Sequence, residues 1–142
     1  HPDEVIAYWR KRSAPFDIGY GIHVLTDALW VRARLEQLPQ LNLPDGSLDK
    51  EKYYRDTFLT DFELYRDGGE ALFRKMSEGK APSDHPLLTQ EEFAQWQRDV
   101  LKAYRGKCPK TGRAEYITCA YARRFVEECQ KELDSIYGRF EK

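Results

Sequence analysis

The three cysteines of this 142-residue chain lie in one stretch, CPKTGRAEYITCAYARRFVEEC, which runs from Cys108 to Cys129. A structural zinc site requires four ligands, usually in close pairs that are two to four residues apart. Here ten and then nine residues separate successive cysteines, and the fourth ligand would have to be His85 from a distant loop. The spacing argues against zinc, and we expect neither a metal nor another cofactor.

A cysteine nucleophile is also disfavoured. The loop of cysteine phosphatases places five residues between the cysteine and the arginine that together hold a phosphate. In CPKTGR only four residues separate Cys108 from Arg113. The loop that forms the anion cradle would therefore differ, and we do not predict this chemistry.

Two interpretations of the thiols remain. We favour reduced cysteines, with Cys129 buried in the apolar stripe of a helix and Cys119 beside it. The alternative is a disulfide between Cys108 and Cys119, which requires the turn between them to fold back. Cys119 and Cys129 would lie about 15 Å apart along a straight helix, too far to bond to each other.

Basic side chains are concentrated in one segment of a chain whose overall charge is balanced, with 23 basic and 24 acidic residues. The overall balance removes a general attraction to nucleic acid or to anionic membranes, so we expect neither as a partner. The segment from 98 to 113 contains these basic residues: Arg98, Lys102, Arg105, Lys107, Lys110 and Arg113. A solvated helix end is the commoner origin of such a run. The alternative is an anion contact, for which the candidates are Lys107, Lys110 and Arg113.

His23 and Asp27 stand on an otherwise apolar helical pattern. A lone histidine on such a face is more often a hydrogen-bonded structural residue than a ligand. A salt bridge is the simplest explanation of Asp27. The alternative is a pocket for a small ligand or cofactor, formed by these two residues and neighbouring aromatic rings.

Two further patterns carry no chemistry that we can identify. The acids of the helix that follows residue 49 are typical of a solvated helix face: Asp56, Asp61, Glu63 and Asp67. The Gly68-Gly69 pair lacks the preceding strand and the repeated glycines of a nucleotide-binding loop, and indicates a hinge.

The apolar periodicity predicts an all-α fold, an irregular helical bundle of about four main helices plus a short N-terminal helix with long Pro/Gly loops, in one domain over residues 1–142. The first half is expected to contain a short helix in HPDEVIAYWRKR, a linker in SAPFDIGYG, a helix over 22–38 and a loop in PQLNLPDGS. The next helix is expected to be capped by Ser47 or Asp49 and to break at Gly68-Gly69. A further helix begins with a Thr89–Glu92 capping box, and a last helix starts at about Ala114.

Two apolar stripes are predicted to face the core, because their members recur about every four residues. The first stripe is Tyr53, Tyr54, Phe58, Phe62 and Tyr65. The second stripe is Ile117, Tyr121, Phe125, Cys129 and Leu133, continued by Ile136 and Tyr137. No apolar stretch reaches the length of a transmembrane helix.

The composition suggests a domain that completes its burial against a partner. Only 41% of residues are hydrophobic, 33% are charged and 13% are aromatic. Aromatic rings suit half-wet interfaces. We therefore expect a non-catalytic accessory or structural subunit of a larger assembly, with other protein subunits as partners. The candidate partner-binding residues are Trp9, Trp30, Tyr54 and Trp96.

Two alternatives accompany this expectation. The nine-residue spacing of Cys119 and Cys129 is that of small proteins of the mitochondrial intermembrane space, which allows an organellar (mitochondrial), respiratory-type complex; otherwise we expect a cytoplasmic protein. However, those proteins carry two such pairs and this chain carries one. The second alternative is a helical bundle that binds a small ligand or cofactor and could be an enzyme.

Overall fold

A computed structural model of the chain describes residues 4, 7, 14–80 and 88–137. The helices in this part are α1 (Pro15–Gln37), α2 (Lys50–Leu64), α3 (Glu70–Glu78), α4 (Gln90–Arg105) and α5 (Cys119–Tyr137), with a 3-10 helix at Pro39–Leu41 and a π-helical segment at Tyr65–Gly69. The described residues form no strand, and only one isolated antiparallel bridge links Asn42 to Leu48. The all-α prediction is confirmed. The predicted leading helix, with Trp9, falls almost wholly outside the described residues.

The chain divides into two compact units. Unit 1 consists of His1–Leu48 and Ala120–Lys142, and unit 2 consists of Asp49–Cys119. Unit 1 therefore contains α1 and nearly all of α5, whereas unit 2 contains α2, α3, α4 and the loop over 106–118. That residues 1–142 behave as a single domain stays a prediction.

Helix α1 begins earlier than its apolar pattern suggested. The linker that we predicted in SAPFDIGYG is wrong, because α1 starts at Pro15 and runs through Gly19 and Gly21. Proline at the first helical position lacks only an N–H that would have no intrahelical partner there. The two glycines cost helix stability, about 1 kcal/mol each relative to alanine, but Gly21 is buried in unit 1. Packing at this position therefore outweighs local propensity.

The core of unit 1 forms where α1 meets α5. Trp30 of α1 contacts Tyr121 and Phe125 of α5 edge-on, with ring centroids 5.8 and 4.8 Å apart. Leu25 and Cys129 are buried in the same unit. The four-residue stripe predicted for α5 is thus confirmed through Cys129.

The loop after α1 has the predicted turn. Gly46 has a positive φ of 83°, a conformation that favours glycine. The carboxylate of Asp45 accepts hydrogen bonds from the backbone N–H and the hydroxyl of Ser47, at 2.9 and 2.6 Å. This Asx arrangement stabilises the turn together with backbone hydrogen bonds from Leu43 N–H to the carbonyl of Ser47 and from Gly46 N–H to the carbonyl of Leu43.

In unit 2, the ends of α2 follow the sequence signals. The side chain of Asp49, one of the two predicted caps, accepts a hydrogen bond from the N–H of Lys52 at 3.1 Å. At the other end, Asp67 and Gly68 leave helical geometry, and the φ of Gly68 is 99°. The predicted break at the glycine pair is confirmed.

Helix α4 has the capping box that its sequence predicts. The Thr89 hydroxyl accepts from the N–H of Glu92 at 3.2 Å, and the Glu92 carboxylate accepts from the N–H of Thr89 at 2.9 Å. The last helix, in contrast, begins at Cys119 and not near Ala114. Backbone N–H groups in the intervening residues bind a side chain of α2 instead of entering a helix.

The described helices include no candidate for a membrane span. None of them is both long enough and apolar enough to cross a membrane. The expectation from hydropathy therefore holds for this part of the chain.

Candidate functional site

The three cysteines are free thiols. Cys108 and Cys119 lie with their sulfur atoms 3.9 Å from the carbonyl oxygens of Phe58 and Thr60, respectively. Carbonyls two residues apart lie on nearly opposite sides of a helix, because each residue turns the helix by about 100°. A disulfide would require the two thiols to move together, and the Cys108–Cys119 pairing stays a prediction.

The third thiol is in the apolar stripe of α5, as predicted. Cys129 is buried and its sulfur lies 3.7 Å from the hydroxyl oxygen of Thr26 on α1. No group of three or more histidine, cysteine or acidic side chains in the described part of the chain is arranged to hold a metal ion. His85, the fourth zinc ligand considered from the sequence, lies outside that part.

His23 and Asp27 form an exposed pair on α1. Their side chains approach to 3.5 Å, and each is about two-thirds exposed. The pairing expected for Asp27 is present. Exposed pairs of this kind contribute little stability. The small-ligand pocket considered for His23 and Asp27 stays a prediction.

Asp56 is the most deeply buried ionisable side chain of unit 2 among the described residues, with 2% of its surface exposed. One of its oxygens, Oδ2, accepts three backbone hydrogen bonds, from Glu115 at 3.0 Å, Tyr116 at 2.6 Å and Ile117 at 3.1 Å. The prediction of a solvated face is wrong for this residue. The carboxylate is committed to anchoring a backbone segment, which explains why a charge is tolerated there.

Thr60, one helical turn after Asp56, completes this anchor. Its hydroxyl donates to the carbonyl of Ile117, and both residues are almost fully buried. The side chains of Asp56 and Thr60 therefore hold residues 115–117 against α2. Asp56 accepts from backbone N–H groups of this segment, and Thr60 donates to one of its carbonyls. The only sequence signal of this anchor is the spacing of Asp56, Leu59 and Thr60, which places all three on one helix face.

The other acids of this predicted face are Asp61 and Glu63 of α2 and Asp67 of the π-helical segment. All three are exposed, as predicted. Asp61 accepts a hydrogen bond of 3.3 Å from the hydroxyl of Tyr104. Partial burial raises the pKa of Asp61 above its ordinary value, and the hydrogen bond from Tyr104 opposes this. Burial and the nearby carboxylate of Asp61 raise the pKa of Tyr104 to about 12.

Tyr104 also belongs to an aromatic cluster in unit 2. Its ring lies 5.2 Å from that of Phe62, 5.6 Å from that of Tyr65 and 4.8 Å from that of Phe73. Because its pKa is raised, the hydroxyl of Tyr104 keeps its proton near neutral pH and donates a hydrogen bond. Contacts of this geometry stabilise the packing of α4 on α2.

The predicted anion contact lies in the loop over 106–118. Lys107, Lys110 and Arg113 are all exposed there. The loop turns at Gly112, whose φ is 105°. The structure thus leaves three cations accessible on one anchored loop, and anion binding stays a prediction.

The predicted partner-binding aromatics have different environments. Trp30 is used inside unit 1, against Tyr121 and Phe125. Tyr54 and Trp96 are both about half exposed in unit 2. We therefore carry Tyr54 and Trp96 forward, but not Trp30.

Two exposed apolar side chains of unit 2 were not among the predicted partner-binding residues. Phe58 was assigned to the core stripe of α2, yet it is exposed one helical turn after Tyr54. Leu72 of α3 is 67% exposed. Periodicity identifies an apolar face but does not tell which part of that face is covered.

Comparison with known proteins adds no relative. No family model, no curated protein and no solved structure matches the chain. Its function therefore has to be inferred from the residues and contacts described above.

Proposed function

We propose that the protein is a non-catalytic helical subunit of a multi-protein assembly, and that it docks through apolar side chains of unit 2. The proposal rests on a mismatch between the amphipathic sequences of α3 and α4 and how little of their apolar faces is buried. Both helices are amphipathic, yet neither contains a buried residue. An amphipathic helix normally buries its apolar face, so the uncovered part of this face is available to a partner.

One side of the helix pair is covered within unit 2. Phe73 of α3 and Tyr104 of α4 join the aromatic cluster with Phe62 and Tyr65 of the α2 region. These contacts explain why the two helices hold their positions. They do not reach Leu72 or Trp96, which remain 67% and 50% exposed.

Beside the aromatic cluster, hydrogen bonds from Gln97 join α4 to α3. Leu72 and Met76 lie one turn apart on α3, and the Gln97 amide of α4 donates to the carbonyls of Met76 and Gly79. Phe93 stacks on Trp96 with 6.0 Å between the ring centroids. We call the surface formed by Leu72, Met76, Phe93 and Trp96 the α3–α4 patch.

The exposed side chains of the α3–α4 patch, Leu72 and Trp96, lie on two helices that Gln97 joins. Single exposed apolar residues are normal on protein surfaces, whereas contiguous ones mark interaction sites. Tryptophan is the residue most enriched among those that dominate binding energy, and a rigid ring loses little entropy when it docks. Trp96 is therefore the expected anchor.

Tyr54 and Phe58 offer a second exposed aromatic surface, on α2. Tyr54 packs edge-on against Tyr53 at 5.3 Å, which fixes its ring in place. The surface is smaller than the α3–α4 patch. We assign it a supporting role, and expect its loss to weaken assembly less than the loss of Trp96.

The test is a Trp96→Ala variant, assayed against the assembly partner isolated with the wild-type protein. We expect a loss of about 2 kcal/mol in binding free energy, or roughly thirtyfold in affinity, as is usual for a central aromatic anchor. The melting temperature should change little, because half of the ring is already exposed to water.

Lys102→Ala is the matched control. Lys102 is exposed on the same helix, but about 240° round its axis from Trp96. The control should bind as the wild type does. Equal affinity of the Trp96→Ala variant and the wild type would overturn the assignment of the α3–α4 patch.

A further inference from the structure

An open apolar groove lies between α1 and α5 in unit 1. The described residues that line it are Ile22, Thr26, Phe125, Val126, Cys129, Gln130, Leu133 and Asp134. We propose that this groove binds a free single-chain amphiphile with a cationic head, an alkylamine or alkylammonium. The proposal concerns a different unit from the docking proposal and does not depend on it.

The shape of the groove favours one extended chain. On α5 it runs from Phe125 to Asp134, which corresponds to about 13 Å of helix at 1.5 Å per residue. Its volume is about 390 Å³, so its mean cross-section is only about 30 Å² over that helix length. A groove of this width accommodates a single alkyl chain.

Two rows of α5 residues form its floor and its outer wall. The floor row is Phe125, Cys129 and Leu133, spaced by four, with Phe125 and Cys129 buried. The thiol of Cys129 contacts Thr26 of α1 and closes the floor. An aliphatic chain lying along this row would contact only carbon and sulfur of α5.

The outer row changes in polarity along its length. Its members, one turn apart, are Val126, Gln130 and Asp134. Val126 is 60% exposed and would gain most from being covered. Since Asp134 stands at the other end, an apolar tail would lie toward Val126 and a polar head toward Gln130 and Asp134.

The charge at that end selects the head group. Asp134 is the one ionisable acid, and no basic side chain is present, among the described residues that line the groove. An exposed carboxylate attracts a cationic head and repels an anionic one, with a modest energy because water screens it. The groove therefore distinguishes alkylammonium from alkyl sulfate.

The test is a calorimetric titration of the full chain with decyltrimethylammonium and with decyl sulfate, both below their micellar concentrations. We expect saturable binding of the cation and weaker binding of the anion. In parallel, peptide-level alkylation should show that the cation protects Cys129, while Cys108 and Cys119 in unit 2 stay as reactive as before. The two unit 2 thiols thus control for general unfolding by the amphiphile.

Three variants separate the contributions of tail and head. Val126→Ser should weaken both amphiphiles severalfold. Asp134→Asn should reduce the preference for the cation by about fivefold, because the cation loses an attraction and the anion is relieved of a repulsion. Glu127→Gln, on the exposed face outside the groove lining, should bind as the wild type does. Circular dichroism would verify that all three variants remain folded.

Two outcomes would overturn the proposal. One is equal or non-saturable binding of the cation and the anion. The other is saturable binding that Val126→Ser leaves unchanged and that gives Cys129 no protection, because the amphiphile would then occupy another surface. Neither outcome would bear on the Trp96 experiment.

Discussion

At the scale of single residues, Asp56 decides where a helix begins. Its carboxylate binds the N–H groups of Glu115, Tyr116 and Ile117, immediately before α5 starts at Cys119. The periodicity of Ile117 and Tyr121 would allow a helix through this segment. Three charge-assisted hydrogen bonds to a buried oxygen prevent it.

We predict that Asp56→Ala destabilises the protein by about 3 kcal/mol or more, since buried N–H groups that lose their acceptor each carry a desolvation penalty. Urea denaturation followed by circular dichroism would measure the change. Glu63→Ala, an exposed acid on the same helix, is the control and should lie within about 0.5 kcal/mol of the wild type. Similar values for the two variants would show that the anchor contributes little.

Asp61 should destabilise the fold when it ionises. Burial raises its folded-state pKa above the ordinary value of 3.8. The stability associated with its protonated form is therefore present at acidic pH and is lost as pH rises through the folded pKa. Asp61→Asn, which keeps an acceptor for the Tyr104 hydroxyl, removes this loss.

The corresponding measurement is the melting temperature of wild type and Asp61→Asn between pH 3 and pH 7. We expect the advantage of the variant to grow as pH rises and then to level off. Asp67→Asn, at an exposed site, should show no such growth. A difference in melting temperature between Asp61→Asn and the wild type that does not change with pH would contradict the raised pKa of Asp61.

At the scale of elements, the basic loop over 106–118 gives a prediction of its own. If Lys107, Lys110 and Arg113 form an anion contact, a polyanion such as heparin should bind, and its affinity should fall steeply with added salt. Replacing all three by alanine should abolish most of this binding. Binding that is unaffected by the triple substitution would remove the anion hypothesis.

Much of the element order follows from local signals in the sequence. The four-residue stripe from Ile117 to Cys129 predicts the buried face of that segment, and the Thr89–Glu92 pair predicts the start of α4, because both depend on residues close together in sequence. The start of α1 was missed, since Gly19 and Gly21 are poor helix formers, and since proline interrupts a helix in most positions but not at the first one, where Pro15 lies.

The candidate sites were harder to predict, and the reason is physical. The anchor of Asp56 joins residues about 60 positions apart, and no local pattern encodes such a contact. Likewise, the exposure of Trp96 could be guessed, but the exposure of Phe58 and Leu72 depends on which neighbours cover each helix. The groove between α1 and α5 depends on how two distant helices meet, which the periodicity of each one leaves open.

At the scale of the whole molecule, the open question for folding is whether the two units unfold together. The single-domain prediction requires one cooperative transition. Trp30 lies in unit 1 and Trp96 in unit 2. In a Trp9→Phe background, variants that keep only Trp30 or only Trp96 would report each unit separately by fluorescence in urea.

We expect the two reporters to show the same midpoint and the same slope. Circular dichroism of the same samples provides the control, because it follows both units together. Separate midpoints would contradict the single-domain prediction and would indicate two independently folding units.

The central claim is that the protein works as a subunit, docked through the α3–α4 patch. The most direct measurement is native mass spectrometry of the protein purified from its own source, first under gentle and then under denaturing conditions. We predict that it travels with protein partners in fixed stoichiometry and that Trp96→Ala releases it from them. A protein that appears alone, at the same mass under both conditions, would contradict the claim.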